Sequence, residues 1–134
     1  MIVVDASIIA TALGDDGEDG HLARAQLVFE TLFAPELIDL EVVSVWRRSQ
    51  RSGRLSHQRA RQALVDLVDL PIKRFPHRPL MPRIWELREN MTPYDAAYIS
   101  LSEALKAPFL TADSALGKAP GIGCQVRVIT YNNG

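Results

Sequence analysis

Two short apolar segments end directly at an aspartate, and this feature constrains the fold more than any other. The chain opens with MIVVD, where Asp5 follows the apolar segment, and PFLTAD later places Asp113 just after a second one. Short segments rich in β-branched residues are typical of strands buried inside a parallel sheet. Further strands are predicted over 31–34, 71–75 and 125–130. Because helical segments separate these strands, we predict an α/β fold with a central, mostly parallel sheet.

Apolar spacing, capping residues and proline positions predict helices between the strands. Ser56 and Thr92 are predicted N-caps, while Pro35 and Pro93 are placed in the first helical turn. The segment GDDGEDG at 14–20 lacks periodicity and is predicted to be a loop. With 134 residues and no linker, the chain is predicted to form a single domain over 1–134. The predicted helices cover 6–13, 21–30, 35–50, 57–68, 79–89, 93–105 and 113–118.

The charges are distributed very unevenly, although the net charge is only −1. Segment 44–83 carries ten Lys and Arg residues against two Asp residues, a net charge of +8 that leaves −9 for the rest of the chain. This pattern predicts either a partner rich in phosphates or carboxylates, or a set of solvated helix faces. No stretch reaches the roughly 18 consecutive apolar residues of a membrane span. The N-terminus has no basic signal region, and Cys124 is the sole cysteine, so we expect no membrane association and a cytoplasmic protein.

Four acidic residues are candidates for one shared site. Asp5 and Asp113 follow strands, and the carboxyl ends of parallel strands form the ligand-binding edge of a sheet. Glu41 lies in an apolar helical stretch, and Asp95 lies in the first turn of another helix. Each acid also has a structural explanation, as a helix cap, a capping box or an exposed helix position. If the four meet, their oxygen atoms select a hard ion such as Mg²⁺ or Mn²⁺, and with the arginine-rich segment they describe a nuclease.

Four segments, in order along the chain, resemble PIN domains and most closely the VapC toxins of bacterial VapBC toxin–antitoxin pairs. We place the second family acid on Glu41 rather than Glu36. Ser102 is a slight departure, because alanine is common at that position of the family pattern. The four segments are MIVVDAS with Asp5 and Ser7, APELIDLEVVSVWRR with Glu41, ENMTPYDAAYISLSEAL with Asn90 and Asp95, and APFLTADSAL with Thr111 and Asp113.

This resemblance implies a PIN-like three-layer α/β/α domain and an endoribonuclease toxin that hydrolyses cellular tRNA, rRNA or mRNA. It implies Mg²⁺ or Mn²⁺ as the cofactor, a homodimer, and a cognate VapB-like antitoxin whose C-terminal tail lies across the active site. The implied catalytic and metal-binding acids are Asp5, Glu41, Asp95 and Asp113. Three further residues would support these acids or a metal-bound water through hydrogen bonds, namely Ser7, Asn90 and Thr111. Contacts with RNA or antitoxin are implied for Arg47, Arg48 and Arg51.

Two alternative functions agree with the same residues. One is a PIN-type nuclease that processes RNA without an antitoxin, and the other is a non-catalytic PIN module that binds RNA or protein. Among the aromatic residues, packing explains Tyr94 and Tyr98 better than base stacking does. Trp46 and Trp85 are both predicted to pack against protein, in part at a dimer interface.

Overall fold

A computed structural model describes residues 1–132 of the chain. Within them, the five strands are β1 (Ile2–Val4), β2 (Leu32–Pro35), β3 (Ile72–Phe75), β4 (Phe109–Thr111) and β5 (Val126–Val128). The six α-helices are α1 (Ala6–Gly14), α2 (Glu18–Leu27), α3 (Ile38–Arg51), α4 (His57–Asp69), α5 (Met81–Glu86) and α6 (Pro93–Leu105). Two 3₁₀ turns cover Arg78–Leu80 and Leu116–Lys118.

The five strands form one parallel sheet in the order β3-β2-β1-β4-β5. From β1 the chain moves outward through β2 to β3, and it then returns to the other side of β1 to form β4 and β5. The strand order therefore reverses between β1 and β4, and ligands of open parallel sheets bind at the carboxyl ends of the strands beside such a reversal. The predicted α/β fold with a central parallel sheet is confirmed.

The core is built on the two strands that flank this reversal. Val3, Val4 and Phe109 are completely buried, and α6 packs against β1, β2 and β4. Helix α1 packs against α2, α3 and α4. Burial of the apolar side chains on these surfaces is the main stabilising contribution, at about 25 cal/mol for each Å² removed from water.

The two tryptophans differ in their environments. Trp46 is buried against α1, where its indole N–H donates to the carbonyl oxygen of Ala10 at 3.1 Å, so its predicted packing is confirmed. Trp85 does not pack within the chain, because its side chain is 67% exposed, and its predicted packing at a dimer interface stays a prediction. Helix α5 is short and buries Ile84, which leaves the next residue, Trp85, facing solvent, with the Arg88 guanidinium stacked 4.4 Å from its ring centre.

The predicted helix caps at Ser56 and Thr92 are confirmed. Ser56 Oγ accepts a hydrogen bond from the N–H of Arg59 at 3.1 Å, and Thr92 Oγ1 accepts from the N–H of Asp95 at 3.2 Å. The prediction that Pro35 begins a helix is wrong, because Pro35 ends β2. Strand β1 pairs with β2 only through Phe33, so Pro35 lies beyond that ladder and its missing N–H breaks no hydrogen bond there.

The boundaries of α2 also differ from the prediction. The helix begins at Glu18, inside the predicted 14–20 loop, and ends at Leu27. Glu18 and Asp19 in its first turn interact favourably with the helix dipole. The preceding turn is so tight that a Cβ on Gly20 would lie 1.8 Å from the carbonyl oxygen of Asp15.

Three other predicted elements are shorter than expected. The helix predicted over 79–89 is a 3₁₀ turn followed by α5, the helix predicted over 113–118 is only a 3₁₀ turn, and β5 covers three residues. In residues 1–132, none of the helices combines the length and the apolar character that a membrane crossing requires.

Candidate active site

Asp5 lies at the carboxyl end of β1, beside the point where the strand order reverses. Its N–H donates to the carbonyl oxygen of Leu110 in β4 at 2.9 Å, so the two strands stay paired up to the acid. Its carboxylate accepts from Thr111 Oγ1 at 2.6 Å and from Ser7 Oγ at 3.2 Å. The fully buried Thr111 hydroxyl also accepts from the N–H of Asp113 at 3.0 Å. Thr111 therefore links the two acids that follow β1 and β4.

Glu41 reaches the same region from α3. Its Oε1 accepts a hydrogen bond from the hydroxyl of Tyr98 in α6 at 2.7 Å. Glu36 is exposed in the turn before α3, where its backbone N–H donates to the carbonyl oxygen of Phe75. The structure therefore brings Glu41, and not Glu36, towards the ends of β1 and β4.

The contact of Tyr98 with Glu41 is absent from the sequence-based prediction, which treated Tyr98 as a packed aromatic. The packing itself is present, since the Tyr98 ring lies 5.6 Å from the ring of Phe109. Burial, reinforced by the charge of Glu41, raises the pKa of the Tyr98 hydroxyl far above its usual value, so the group stays a proton donor. One signal was available, because Tyr98 follows Asp95 by three residues and such residues share a helix face.

The electrostatics couple the four predicted acids to one another. Burial raises the pKa of Asp5, and the hydroxyls of Thr111 and Ser7 offset part of this increase. Burial also raises the pKa of Glu41; the hydrogen bond from Tyr98 opposes this rise, and the charges of Asp5 and Asp95 add to it.

Asp95 completes this coupling. Its pKa is raised first by burial and then by the charges of Asp5 and Asp113. Each acid therefore lies in the electric field of at least one other. We name the set of Asp5, Glu41, Asp95 and Asp113 the acid cluster.

The donor atoms of the acid cluster fit a hard cation. All four side chains offer carboxylate oxygens, the ligands that Mg²⁺ and Mn²⁺ prefer. Within residues 1–132, no group of three or more His, Cys, Asp or Glu side chains is already arranged to hold a metal ion. Mutual repulsion keeps ionised carboxylates apart, and a bound cation would reverse this effect by neutralising their charge.

Two predicted site residues also make local structural contacts. Asn90 Nδ2 donates to the carbonyl oxygen of Pro120 at 3.0 Å, so its amide braces the loop that precedes β5. The exposed Asp113 accepts from the N–H of Ala115 at 2.9 Å, which closes a turn after β4.

The predicted contact arginines lie on α3, the helix that carries Glu41. Arg47, Arg48 and Arg51 are exposed to solvent, and Arg48 Nη1 donates only a long hydrogen bond of 3.4 Å to Ser44 Oγ. Beside them lies a groove of about 430 Å³ between α3 and α4, which the sequence did not reveal. We name it the α3–α4 groove; it is lined by Val43, Trp46, Arg47, Gln50, His57, Ala60, Arg61 and Leu64.

Other arginines of segment 44–83 support the fold. Arg59 forms an ion pair with Asp16 at a nitrogen-to-oxygen distance of 2.9 Å, and this distance is 2.7 Å in both the Arg74–Asp39 and the Arg83–Glu103 pairs. Each of these guanidinium groups also donates to at least one backbone carbonyl oxygen. Part of the charge asymmetry of the sequence therefore serves internal ion pairs.

The fold and the acid cluster together define a parallel α/β protein with an acidic edge at its topological switch point. The chain belongs to the PIN domain family, because the family model for the PIN domain matches residues 2–122. The chain is 41% identical over 128 residues to Ribonuclease VapC1 of Mycobacterium tuberculosis, covering 95% of this chain and 96% of that one. It is 40% identical over 129 residues to a VapC ribonuclease of Mycobacterium bovis, covering 96% and 98%.

Solved structures share the fold at low sequence identity. A toxin–antitoxin complex from Klebsiella pneumoniae contains a chain with a TM-score of 0.66 and 16% identity, covering 98% of this chain and all of that one. The Sarcin-Ricin loop cleaving toxin VapC20 of Mycobacterium tuberculosis has a TM-score of 0.62 and 15% identity, covering 81% and 87%. The predicted PIN-like fold is thus confirmed.

Proposed function

We propose that this chain is a VapC-type endoribonuclease toxin that hydrolyses phosphodiester bonds in cellular RNA with the help of Mg²⁺ or Mn²⁺. The observation that carries the proposal is the meeting of carboxylates beside the ends of β1 and β4, where Thr111 joins Asp5 to Asp113 and the charge of Asp5 acts on both Glu41 and Asp95. Full-length similarity at about 40% identity to chains named as ribonucleases supports the same function.

The acid cluster supplies the chemistry of this proposal. Asp5 and Asp95 are the principal metal ligands, and the other two acids complete the set. A divalent cation at this position would lower the pKa of a bound water and offset the negative charge that develops at the scissile phosphate. The hydroxyls of Thr111 and Ser7 fix the orientation of the Asp5 carboxylate, as outer-shell hydrogen bonds commonly do for metal ligands.

The exposed arginines of α3 bind the RNA backbone. Arg48 follows Glu41 by seven residues, which is a distance of about 10 Å along a helix. A strand whose scissile phosphate lies at the acid cluster therefore reaches these guanidinium groups within a few nucleotides. Because their side chains are free of carboxylate partners in residues 1–132, they can neutralise phosphates.

The same face also fits a cognate VapB-like antitoxin. The lining of the α3–α4 groove includes the apolar Trp46 and Leu64 and the basic Arg47 and Arg61, which suits an amphipathic segment that carries acidic residues. The shared fold with a chain of a toxin–antitoxin complex supports this proposal. Binding there would cover Arg47, one of the arginines that we assign to RNA. The homodimer stays a prediction, which sedimentation of the isolated chain would test.

Cleavage of labelled RNA tests the proposed activity. The antitoxin-free protein is incubated with end-labelled tRNA and total RNA in Mg²⁺, in Mn²⁺ and in EDTA, beside the variants Asp5→Asn and Glu36→Gln. We expect discrete cuts that EDTA and Asp5→Asn abolish, whereas the control Glu36→Gln retains them because Glu36 lies outside the acid cluster. A folded protein that neither cuts RNA nor binds a divalent cation would favour the non-catalytic module instead.

A further inference from the structure

Tyr98 connects the helix that carries Glu41 to the strand that carries Thr111. Its side chain is only 1% exposed, and its ring packs on Phe109 in β4 with ring centres 5.6 Å apart. Its hydroxyl donates to Glu41 Oε1 at 2.7 Å. In residues 1–132 this is the one hydrogen bond that the structure records to the Glu41 carboxylate. The contact joins residues 57 positions apart in the chain, so the tertiary fold alone creates it.

Glu41 needs such a contact more than the other acids do. Asp5 is fixed by two hydroxyls and a strand end, whereas Glu41 has a long, rotatable side chain on a helix. The charges of Asp5 and Asp95 act against its ionised form. The neighbouring side chain of Leu40 is 76% exposed, so solvent is close by. Without an opposing attraction, repulsion would turn the Glu41 carboxylate away from the acid cluster and towards water.

We propose that Tyr98 is a positioning residue of the acid cluster, whose buried hydroxyl keeps the Glu41 carboxylate directed at Asp5 and Asp95 so that the three can share one divalent cation. This inference rests on the proposed function, and it assigns to Tyr98 no contact with RNA or with the cation. Loss of an outer-shell hydrogen bond of this kind typically weakens metal binding about 10- to 100-fold. A preorganised carboxylate would also raise turnover without changing the affinity for RNA.

The substitution Tyr98→Phe removes the hydroxyl and leaves the ring that packs on Phe109. We measure Mn²⁺ affinity in the absence of RNA by water-proton relaxation, together with kcat and KM for RNA cleavage and the melting temperature. The expected result is Mn²⁺ binding about 10- to 100-fold weaker, a lower kcat, an unchanged KM and a small change in melting temperature. The matched control is Tyr94→Phe, the same change one turn earlier on α6 at a side chain that is 62% exposed, and it should match the wild type.

A double-mutant cycle with Glu41→Ala shows whether Tyr98 acts through Glu41. We expect Tyr98→Phe to weaken Mn²⁺ binding in the wild-type background and to have no further effect once Glu41 is gone. Equal losses in both backgrounds, no loss in the single variant, or a collapse of the melting temperature in Tyr98→Phe would each overturn the inference. If the wild type itself neither binds Mn²⁺ nor cleaves RNA, the proposed function fails. If the wild type does both and Tyr98→Phe matches it, only the role of Tyr98 fails.

Discussion

The acid cluster and the basic segment 44–83 are two charged regions of this molecule, and they differ in whether their charged groups have partners of opposite charge within the fold. In the acid cluster, burial raises the pKa values of Asp5, Glu41 and Asp95, and like charges raise those of Glu41 and Asp95 further. The side-chain hydrogen bonds to Asp5 and Glu41 come from hydroxyl groups. In the basic segment, Arg59, Arg74 and Arg83 are each matched by a carboxylate and by backbone carbonyl groups.

This difference indicates where a ligand is needed. A charge with an internal partner stabilises the fold and has little capacity left for binding, whereas a group of like charges without one costs free energy until a counter-ion arrives. The two regions therefore predict opposite outcomes on substitution. Changes in the acid cluster should reduce function and spare stability, and changes in the internal ion pairs should do the reverse.

The largest effect is expected for Asp95→Asn, which removes one charge of the acid cluster and keeps the shape of the side chain. RNA cleavage should fall about a thousandfold or more, equivalent to about 4 kcal/mol of transition-state stabilisation. The melting temperature at pH 7 should stay the same or rise, because the repulsion from Asp5 and Asp113 is relieved. A kinetic assay with calorimetry checks both, and retained cleavage would contradict the assignment of Asp95 to the site.

A smaller effect is expected when Arg47→Ala and Arg48→Ala are combined. RNA affinity should weaken about tenfold, and the slope of log K against log salt concentration should fall by about 1.4, the value for two phosphate contacts on a single strand. Mn²⁺ affinity and melting temperature should not change. The matched control is the pair Lys73→Ala and Arg78→Ala, which removes the same charge near β3. If the slope of log K against log salt concentration fell equally in the control, the total positive charge of the protein, and not the position of these arginines on α3, would explain the binding of RNA.

The internal ion pairs predict the reverse pattern in Arg83→Ala. The Arg83 guanidinium donates hydrogen bonds to both carboxylate oxygens of Glu103 and to the carbonyl oxygen of Gly121. Because both side chains are partly exposed, the loss of unfolding free energy should be modest, about 1–2 kcal/mol, with cleavage per folded molecule unchanged. The control Arg88→Ala breaks a more exposed pair of 3.8 Å with Glu89 and the stacking on the exposed Trp85 ring, and it should cost less, about 0.5–1 kcal/mol. Equal melting temperatures for the two variants would contradict a stabilising role of the Arg83 contacts.

The smallest effect is a pH dependence of that same pair. The Arg83 guanidinium lowers the pKa of Glu103 below its usual value. A carboxyl with a lowered folded-state pKa contributes stability above its unfolded pKa of about 4.3 and loses it as the pH falls through the folded value. The difference in unfolding free energy between wild type and Arg83→Ala should therefore be constant near neutral pH and shrink below about pH 4. Denaturant titrations across this range measure it, and a difference that grows on acidification would contradict the pairing.

The sequence predicts the parts of this molecule that depend on local patterns. The strands ahead of Asp5 and Asp113, the caps at Ser56 and Thr92, and the parallel α/β fold all follow from short-range spacing and residue type. The choice of Glu41 over Glu36 followed first from the apolar helical stretch around Glu41, and in the structure Glu41 contacts Tyr98 while Glu36 lies exposed in a turn.

The sequence did not predict contacts between distant segments. The carboxylate partners of Arg59, Arg74 and Arg83 all lie outside segment 44–83, between 20 and 43 positions away. Counting charges within the segment therefore overstated its free positive charge. The exposure of Trp85 has a similar origin, since only the packing of α5 decides which of its faces is buried.

The most direct test of the acid cluster is the position of a bound Mn²⁺ ion. Crystals of the antitoxin-free protein are soaked in Mn²⁺, and anomalous scattering locates the ion without reference to activity. We expect an anomalous peak coordinated by carboxylate oxygens of Asp5 and Asp95, with Glu41 and Asp113 completing the site directly or through water. A peak at another acidic group, such as the Asp15–Glu18 turn, or no peak in a protein that cleaves RNA, would contradict the claim that these four acids form one metal site.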